Sequence, residues 1–412
     1  MQLPVAHAAR QPLTTVDRWL VGFALGWFLM FGTLAAFVTH TFTFFPDSRQ
    51  HYHYISVIRS GSWPYLENSK IHQEEHQPPL YYVLMAPAAA IGERLTPEGG
   101  VLLVRLLTLL IGAGVVVLTA RLAREVFPAR RYVPGLAALI VGMNPQYYVM
   151  SAEVNNDALT SLLGASLLLM MVWAIQRDAI NPRRDWWIGG LLATTFLTKM
   201  SLWPLVLMTL AVFAVKRRGA WRQLWRLAVP TILLGGPWLV RNTLLYGDPT
   251  VWGKLQQYFG AEQYADFLTP AGVRVWFNLL FETYWARFRH FTAGLPFIVY
   301  AWVKIVWGLA VVGLIAWLII QWRRLPNTTR ASLVVLAASI VVVAVGVFTY
   351  SLKFYQPQGR YLFPVQAAIA LFLALGLDSI APPRLKPVLV GGTVLGLLVF
   401  NIIALRMIVF WG

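Results

Sequence analysis

The chain has no cysteine in its 412 residues. That removes disulfides, zinc–thiolate sites, iron–sulfur clusters and cysteine nucleophiles together, and leaves the redox compartment open. Charge is scarce too. Asp, Glu, Lys and Arg make up 12% of the chain, against roughly a quarter in an average soluble domain. Acidic residues are the rarer kind, 17 against 34 Lys and Arg, for a net charge of +17. These shortages exclude an ordinary soluble enzyme, a disordered regulator and a secreted disulfide scaffold.

What is present is apolar: 58% of residues are hydrophobic and the mean hydropathy is +0.60. The apolar residues fall into blocks near the length of about 20 residues that a bilayer crossing requires. Candidate spans are 19–40, 101–122, 132–150, 158–175, 186–198, 200–215, 225–245, 295–320, 331–350, 361–378 and 387–408. The fold expected is an all-α polytopic membrane protein of about 11 transmembrane helices, within 10–13. A single domain is expected over 1–412, with no separate soluble domain.

Two polar stretches interrupt the spans: a first outer loop within 41–100 and a long aromatic loop, 246–294. Segment 79–92 in the first is apolar but only 14 residues long and carries Pro87, so it reads as interfacial or re-entrant. If it does not cross, 19 basic and 5 acidic residues share the side of the N-terminus, among them Arg124, Arg130, Arg177 and Arg217. Basic loops are retained in the cytoplasm. The N-terminus is therefore expected inside the cell, both long loops outside, and the protein in the inner membrane. The basic surplus then reflects orientation and anionic headgroups, with no nucleic-acid partner. Segment 186–215 reads as two short crossings turning at Lys199, or as a re-entrant hairpin. In 246–294, Trp276, Trp285 and Phe288 alternate with Arg274, Arg287 and Arg289, which suits helices at headgroup level or a plain anchoring belt.

Three constellations fall on the outer side. Asp47 lies just beyond the first span, and Glu74, Glu75 and His76 precede the short segment; carboxylates there suit a general base and a partner, or a solvated loop. SAEVNNDAL holds Glu153, Asn155, Asn156 and Asp157 between two spans, where Asp157 is either a site residue or a helix cap. Lys199, Arg241 and Arg360 lie in or at the outer ends of apolar spans. Such cations snorkel or meet an anion, and three together suggest a phosphate cradle. No phosphate-binding glycine loop, dinucleotide fingerprint or serine triad occurs. A lipid carrying a phosphate headgroup fits the arrangement.

The chain resembles the GT-C superfamily of integral membrane glycosyltransferases, in particular the protein O-mannosyltransferase and lipid A aminoarabinose transferase group. The landmarks are Asp47, HQPPLYY at 76–82, NND at 155–157, TK at 198–199, PWLVRN at 237–242, YGDP at 246–249 and QGRYLFP at 358–364. The resemblance implies transfer of a sugar from a polyprenyl-phosphate donor to a protein, lipid or glycan acceptor at the external, periplasmic face, with inversion. It assigns Asp47 as general base, with Asp157 and Glu75 beside it. It places Lys199, Arg241, Arg360, His76 and Tyr361 at the donor phosphate. Many relatives carry an acidic pair where this chain has Asp47-Ser48, so a single carboxylate stands there. No cofactor is required by the sequence, and a divalent cation is left open. The competing readings are a transporter or flippase of the lipid-linked sugar, which does not need Asp47, and an inactive accessory subunit.

Overall fold

A computed structural model describes residues 12–45, 47–66, 70–177, 181–217, 221–259, 268–289 and 291–411. Arg10 and Arg218, two of the basic residues assigned to the inner side, and residues 260–267 of the long outer loop lie outside them. Helix α1 (Thr15–Val38) begins where the Thr14 hydroxyl accepts the Asp17 amide at 3.1 Å, a capping arrangement that satisfies a free helix-end donor. Two short helices follow, α2 (Thr41–Phe44) and α3 (Ser48–Arg59), then a 3-10 segment, Lys70–His76. Next come α4 (Leu80–Leu95) and the long α5 (Gly99–Val126).

The span expected at 132–150 is instead two helices, α6 (Val133–Gly142) and α7 (Pro145–Ser151). Proline disfavours a helical residue before it, and Asn144 is extended (ψ 111°) with its side chain accepting the Tyr147 amide at 3.2 Å. The chain continues through α8 (Asp157–Arg177), α9 (Pro182–Phe196), α10 (Trp203–Lys216) and α11 (Trp225–Tyr246). The long loop is itself folded, as α12 (Trp252–Phe259), α13 (Pro270–Trp285) and a two-stranded hairpin, β1 (Arg287–Phe288) with β2 (Ala293–Gly294). Helices α14 (Phe297–Gln321) and α15 (Asn327–Ser351), a 3-10 segment Gly359–Val365, α16 (Gln366–Ile380) and α17 (Lys386–Trp411) complete it.

Among the described residues, 7 helical units are long and apolar enough to cross a membrane. The chain is an integral, multi-pass membrane protein. Helices α6, α9 and α10, with 10, 15 and 14 residues, fall below a full crossing. Lipid tails offer no hydrophobic drive between helices, so close backbone approach holds such bundles together. At the α14–α16 contact a β-carbon on Gly376 would lie 1.9 Å from the Ala310 carbonyl oxygen.

Ion pairs sort the helix ends onto two faces. On one, Arg124 pairs with Asp17, Arg130 with Asp378 at 2.6 Å, Arg177 with Glu125 at 2.8 Å and Arg217 with Asp185 at 3.0 Å. That face gathers the start of α1, the ends of α5, α8 and α16, and both outer ends of the α9–α10 pair. The opposite ends of the same helices carry Asp47, Asp157, Lys199 and Arg360. Helices α9 and α10 are thus a hairpin rising from the basic face and turning at Lys199. Helix α4 stays on the far side: Tyr81 meets Thr108 at 2.8 Å, and Gly92 packs on Gly99 at the start of α5.

Candidate functional site

Asp47 holds the position before α3 where a side chain ordinarily caps the helix, yet it makes no capping bond. Its carboxylate instead accepts Arg360 Nη2 at 2.8 Å. Arg360 reaches on to Asp157, with Nη1 3.7 Å from Oδ2. The other Asp157 oxygen accepts Lys199 Nζ at 2.6 Å, and the same ammonium donates to Asn156 Oδ1 at 3.1 Å. Four residues from four distant stretches therefore form one chain of alternating charge. A low-dielectric setting strengthens such pairs, and two anions matched by two cations offset much of the burial cost of each.

Glycines and one buried cation hold these parts together. A β-carbon on Gly164 of α8 would lie 2.2 Å from the Pro364 carbonyl oxygen, and one on Gly359 would lie 2.3 Å from the Tyr284 amide nitrogen. Arg360 can approach Asp157 because both positions lack a side chain. On the α1 side, buried Arg105 donates to the carbonyls of Ala152 (2.6 Å), Thr39 (3.0 Å) and Ala35 (3.1 Å). It ties the end of α1, and so the approach to Asp47, to the loop before Asp157. Arg105 was legible as a cation inside an apolar run, where such residues are costly and functional; the sequence reading passed over it.

An open cleft lies against this network. Asp47, Glu153 and Arg360 line one part of it, and Phe44, Phe288 and Phe291 another. Glu153 is buried and accepts from Ser48 Oγ at 3.2 Å and Asn155 Nδ2 at 2.8 Å. Burial pushes its carboxyl up to about 8, opposed by Arg360 and reinforced by the negative charge of Asp47 and Asp157. At neutral pH it is mainly an uncharged acid. The sequence placed it in the right constellation and assigned it no role.

The remaining candidates divide. Glu75 joins a second cluster, accepting the Tyr65 amide at 2.7 Å and meeting His72 Nδ1 at 2.5 Å. Its neighbour Glu74 faces the network instead, pairing with Gln77, whose Oε1 accepts from Asn156, and standing 3.8 Å from His51. His76 is pushed down to about 4 by burial, its Nδ1–H donating to the Gln73 carbonyl at 2.7 Å; it brings no positive charge to a phosphate. His51 is lowered as well, again by burial. Arg241 stands apart from the Asp47–Asp157 network, over the rings of Trp238 (4.7 Å) and Tyr246 (5.6 Å). Its Nη1 donates to Asn242, while Nε and Nη2 find no acceptor among the described residues. Tyr361 hydrogen-bonds Gln356 and carries the Arg360 guanidinium 5.6 Å from its ring centroid. A divalent cation takes uncommitted oxygen ligands. Asp47 and Asp157 are already matched by Arg360 and Lys199, so this centre does not fit one.

Residues 76–237, which include His76, Asp157 and Lys199, match the family model described as dolichyl-phosphate-mannose-protein mannosyltransferase. Among solved structures the chain is similar to ArnT from Cupriavidus metallidurans bound to undecaprenyl phosphate. That match has 18% identity and a TM-score of 0.53, covering 93% of this chain and 62% of that one. It is also similar to the archaeal oligosaccharyltransferase AglB from Archaeoglobus fulgidus in complex with an inhibitory peptide and a dolichol-phosphate. There the identity is 12% and the TM-score 0.51, covering 95% of this chain and 56% of that one. The chain thus spans less than two thirds of either neighbour. No curated protein sequence matches it. The chain shares the all-helical membrane fold of these two proteins, the fold that the sequence resemblance implied.

Proposed function

We propose that this protein transfers a glycosyl group from a polyprenyl-phosphate-linked sugar to an acceptor on the face that carries Asp47. The observation that carries the reading is the Asp47–Arg360–Asp157–Lys199 chain opening onto a cleft. Exposure separates the two aspartates: the side chain of Asp47 is 31% exposed and that of Asp157 is 8%. Asp47 is therefore the general base, and Asp157, with both oxygens engaged, orients Arg360 and Lys199. The Asp47 carboxylate takes the proton of an acceptor hydroxyl as its oxygen attacks the anomeric carbon. The sugar–phosphate bond breaks, its electron pair stays on the phosphate oxygen, and the configuration inverts. Such base assistance contributes about 10²–10⁴ in rate.

The departing lipid phosphate gains charge as the bond breaks, and preorganised cations stabilise that charge more than they stabilise the bound donor. Arg360 lines the cleft beside Asp47 and is the cation placed to do this; Lys199 is committed to Asp157 and Asn156, and Arg241 stands apart over its two aromatic rings. The basic face holds the positive loops, so the positive-inside rule sets it in the cytoplasm and the cleft at the exterior. The test is incorporation of radiolabel from a set of polyprenyl-phosphate sugars into envelope material by membranes containing the protein. Transfer supports the reading. Scrambling of the labelled lipid across liposomes without product would identify a transporter instead.

A further inference from the structure

We propose that His53, His72 and Glu75 form a transition-metal site, with Zn²⁺ the ion their chemistry suits best. The site is separate from the Asp47–Asp157 network and does not depend on the proposed reaction. One ligand atom from each of the three residues lies within 4.8 Å of the other two. His53 comes from α3 and the other two from the 3-10 segment Lys70–His76. In a 3-10 helix residues three apart eclipse one another, so the 72/75 spacing stacks an imidazole and a carboxylate on one side. The His53 and His72 rings meet edge to face, with centroids 4.7 Å apart.

One spacing in the cluster already suits a metal. Tetrahedral Zn²⁺, with bonds of about 2.0–2.2 Å, sets its ligand atoms about 3.4 Å apart. His53 Nε2 and Glu75 Oε1 are 3.5 Å apart already. His72 Nδ1 and Glu75 Oε1 are hydrogen-bonded at 2.5 Å, and a bound ion would replace that bond with one to each of them. The other Glu75 oxygen accepts the Tyr65 amide at 2.7 Å. That bond is the outer-shell support that orients a metal carboxylate. Glu75 is 2% exposed while His53 and His72 are 32% and 23% exposed, so the anion is desolvated and the imidazoles form the entry. Two imidazoles and a carboxylate are the zinc donor set that leaves a fourth position open.

The metal would clip α3 to the 3-10 segment. Asp47 immediately precedes α3, and the 3-10 segment carries Glu74 and runs into Gln77 of the network. The ion therefore fixes the loop whose two ends enter the candidate site.

The experiment uses the full chain purified in detergent, stripped with chelator and titrated with Zn²⁺ against a chromophoric competitor, with metal content measured after dialysis. Wild type is expected to retain about one equivalent, and His53→Gln, His72→Ala and Glu75→Gln each to weaken binding by at least ~100-fold. The exposed His40→Ala serves as the control and should match wild type. Co²⁺ substituted into wild type should give the intense visible bands of a tetrahedral site, a readout that does not require any variant to fold. Sub-stoichiometric metal in wild type, equal affinity in the three ligand variants, or octahedral Co²⁺ bands would overturn the assignment.

Discussion

Glu153 ties a measurable protonation to the cleft. Its carboxyl is raised from 4.5 to about 8 by burial, so the folded chain keeps a proton that the unfolded chain releases near the ordinary value. Stability supplied by that protonated acid is complete below about 4.5 and declines as pH rises, levelling off above about 8. Between those limits each pH unit costs about 1.4 kcal/mol, which puts the loss between pH 6 and 8 at about 2 kcal/mol. Glu153→Gln keeps the shape without the charge. Its amide can donate to Ser48 while its oxygen accepts from Asn155, the two partners Glu153 has now. The apparent Tm of wild type in detergent should therefore fall between pH 6 and 9 more steeply than that of Glu153→Gln. Infrared difference spectra of carboxyl-labelled protein should lose one buried carboxylic-acid band as pH passes 8. An ionised Glu153 also draws on Arg360, so wild-type sugar transfer should drop above pH 8 while the variant holds. Matching pH profiles and no carboxylic-acid band at pH 6 would refute the protonated state.

Other outcomes follow from the same geometry. Arg360→Lys keeps the charge but loses the fork that spans two aspartates; transfer should fall at least tenfold, and equal kcat/KM would dismiss the bridging role. Gly164→Ala puts a β-carbon 2.2 Å from the Pro364 carbonyl oxygen, so it should lower both Tm and transfer. Gly346→Ala on α15, with nothing within 4 Å, should raise stability by up to about 1 kcal/mol. The lack of native cysteine permits single-site labelling. Trp63→Cys should react with an impermeant maleimide in intact cells and Arg131→Cys only after permeabilisation, and labelling of both from outside would reverse the proposed orientation.

Much of the fold was legible because lipid constrains it. Long apolar runs such as 101–122 and 331–350 became helices with nowhere else to bury their backbone, and the two faces follow the charges that flank them. The break at Asn144-Pro145 was harder to read, because the residues on either side are apolar and hydropathy averages over a proline. In the site, Asp47, Asp157, Lys199 and Arg360 were recoverable from their places at helix ends. Pairing was not: that Glu74 rather than Glu75 faces the network depends on how a 3-10 segment turns. Arg241 looked equivalent to Arg360 in sequence, yet packing sets it over two aromatic rings. Glu153 could be seen only as one more acid until its burial was known, since its altered protonation comes from neighbours distant along the chain.

Asp47, as the group that takes the acceptor proton, is the centre of the proposed mechanism. The direct measurement is single-turnover transfer from a radiolabelled polyprenyl-phosphate sugar by wild type, Asp47→Asn and Asp47→Glu, with undecaprenyl phosphate binding measured alongside. Asp47→Asn should bind the lipid phosphate within a few-fold of wild type and lose transfer by about 10²–10⁴, with partial return in Asp47→Glu. Wild-type transfer rates in Asp47→Asn would contradict it.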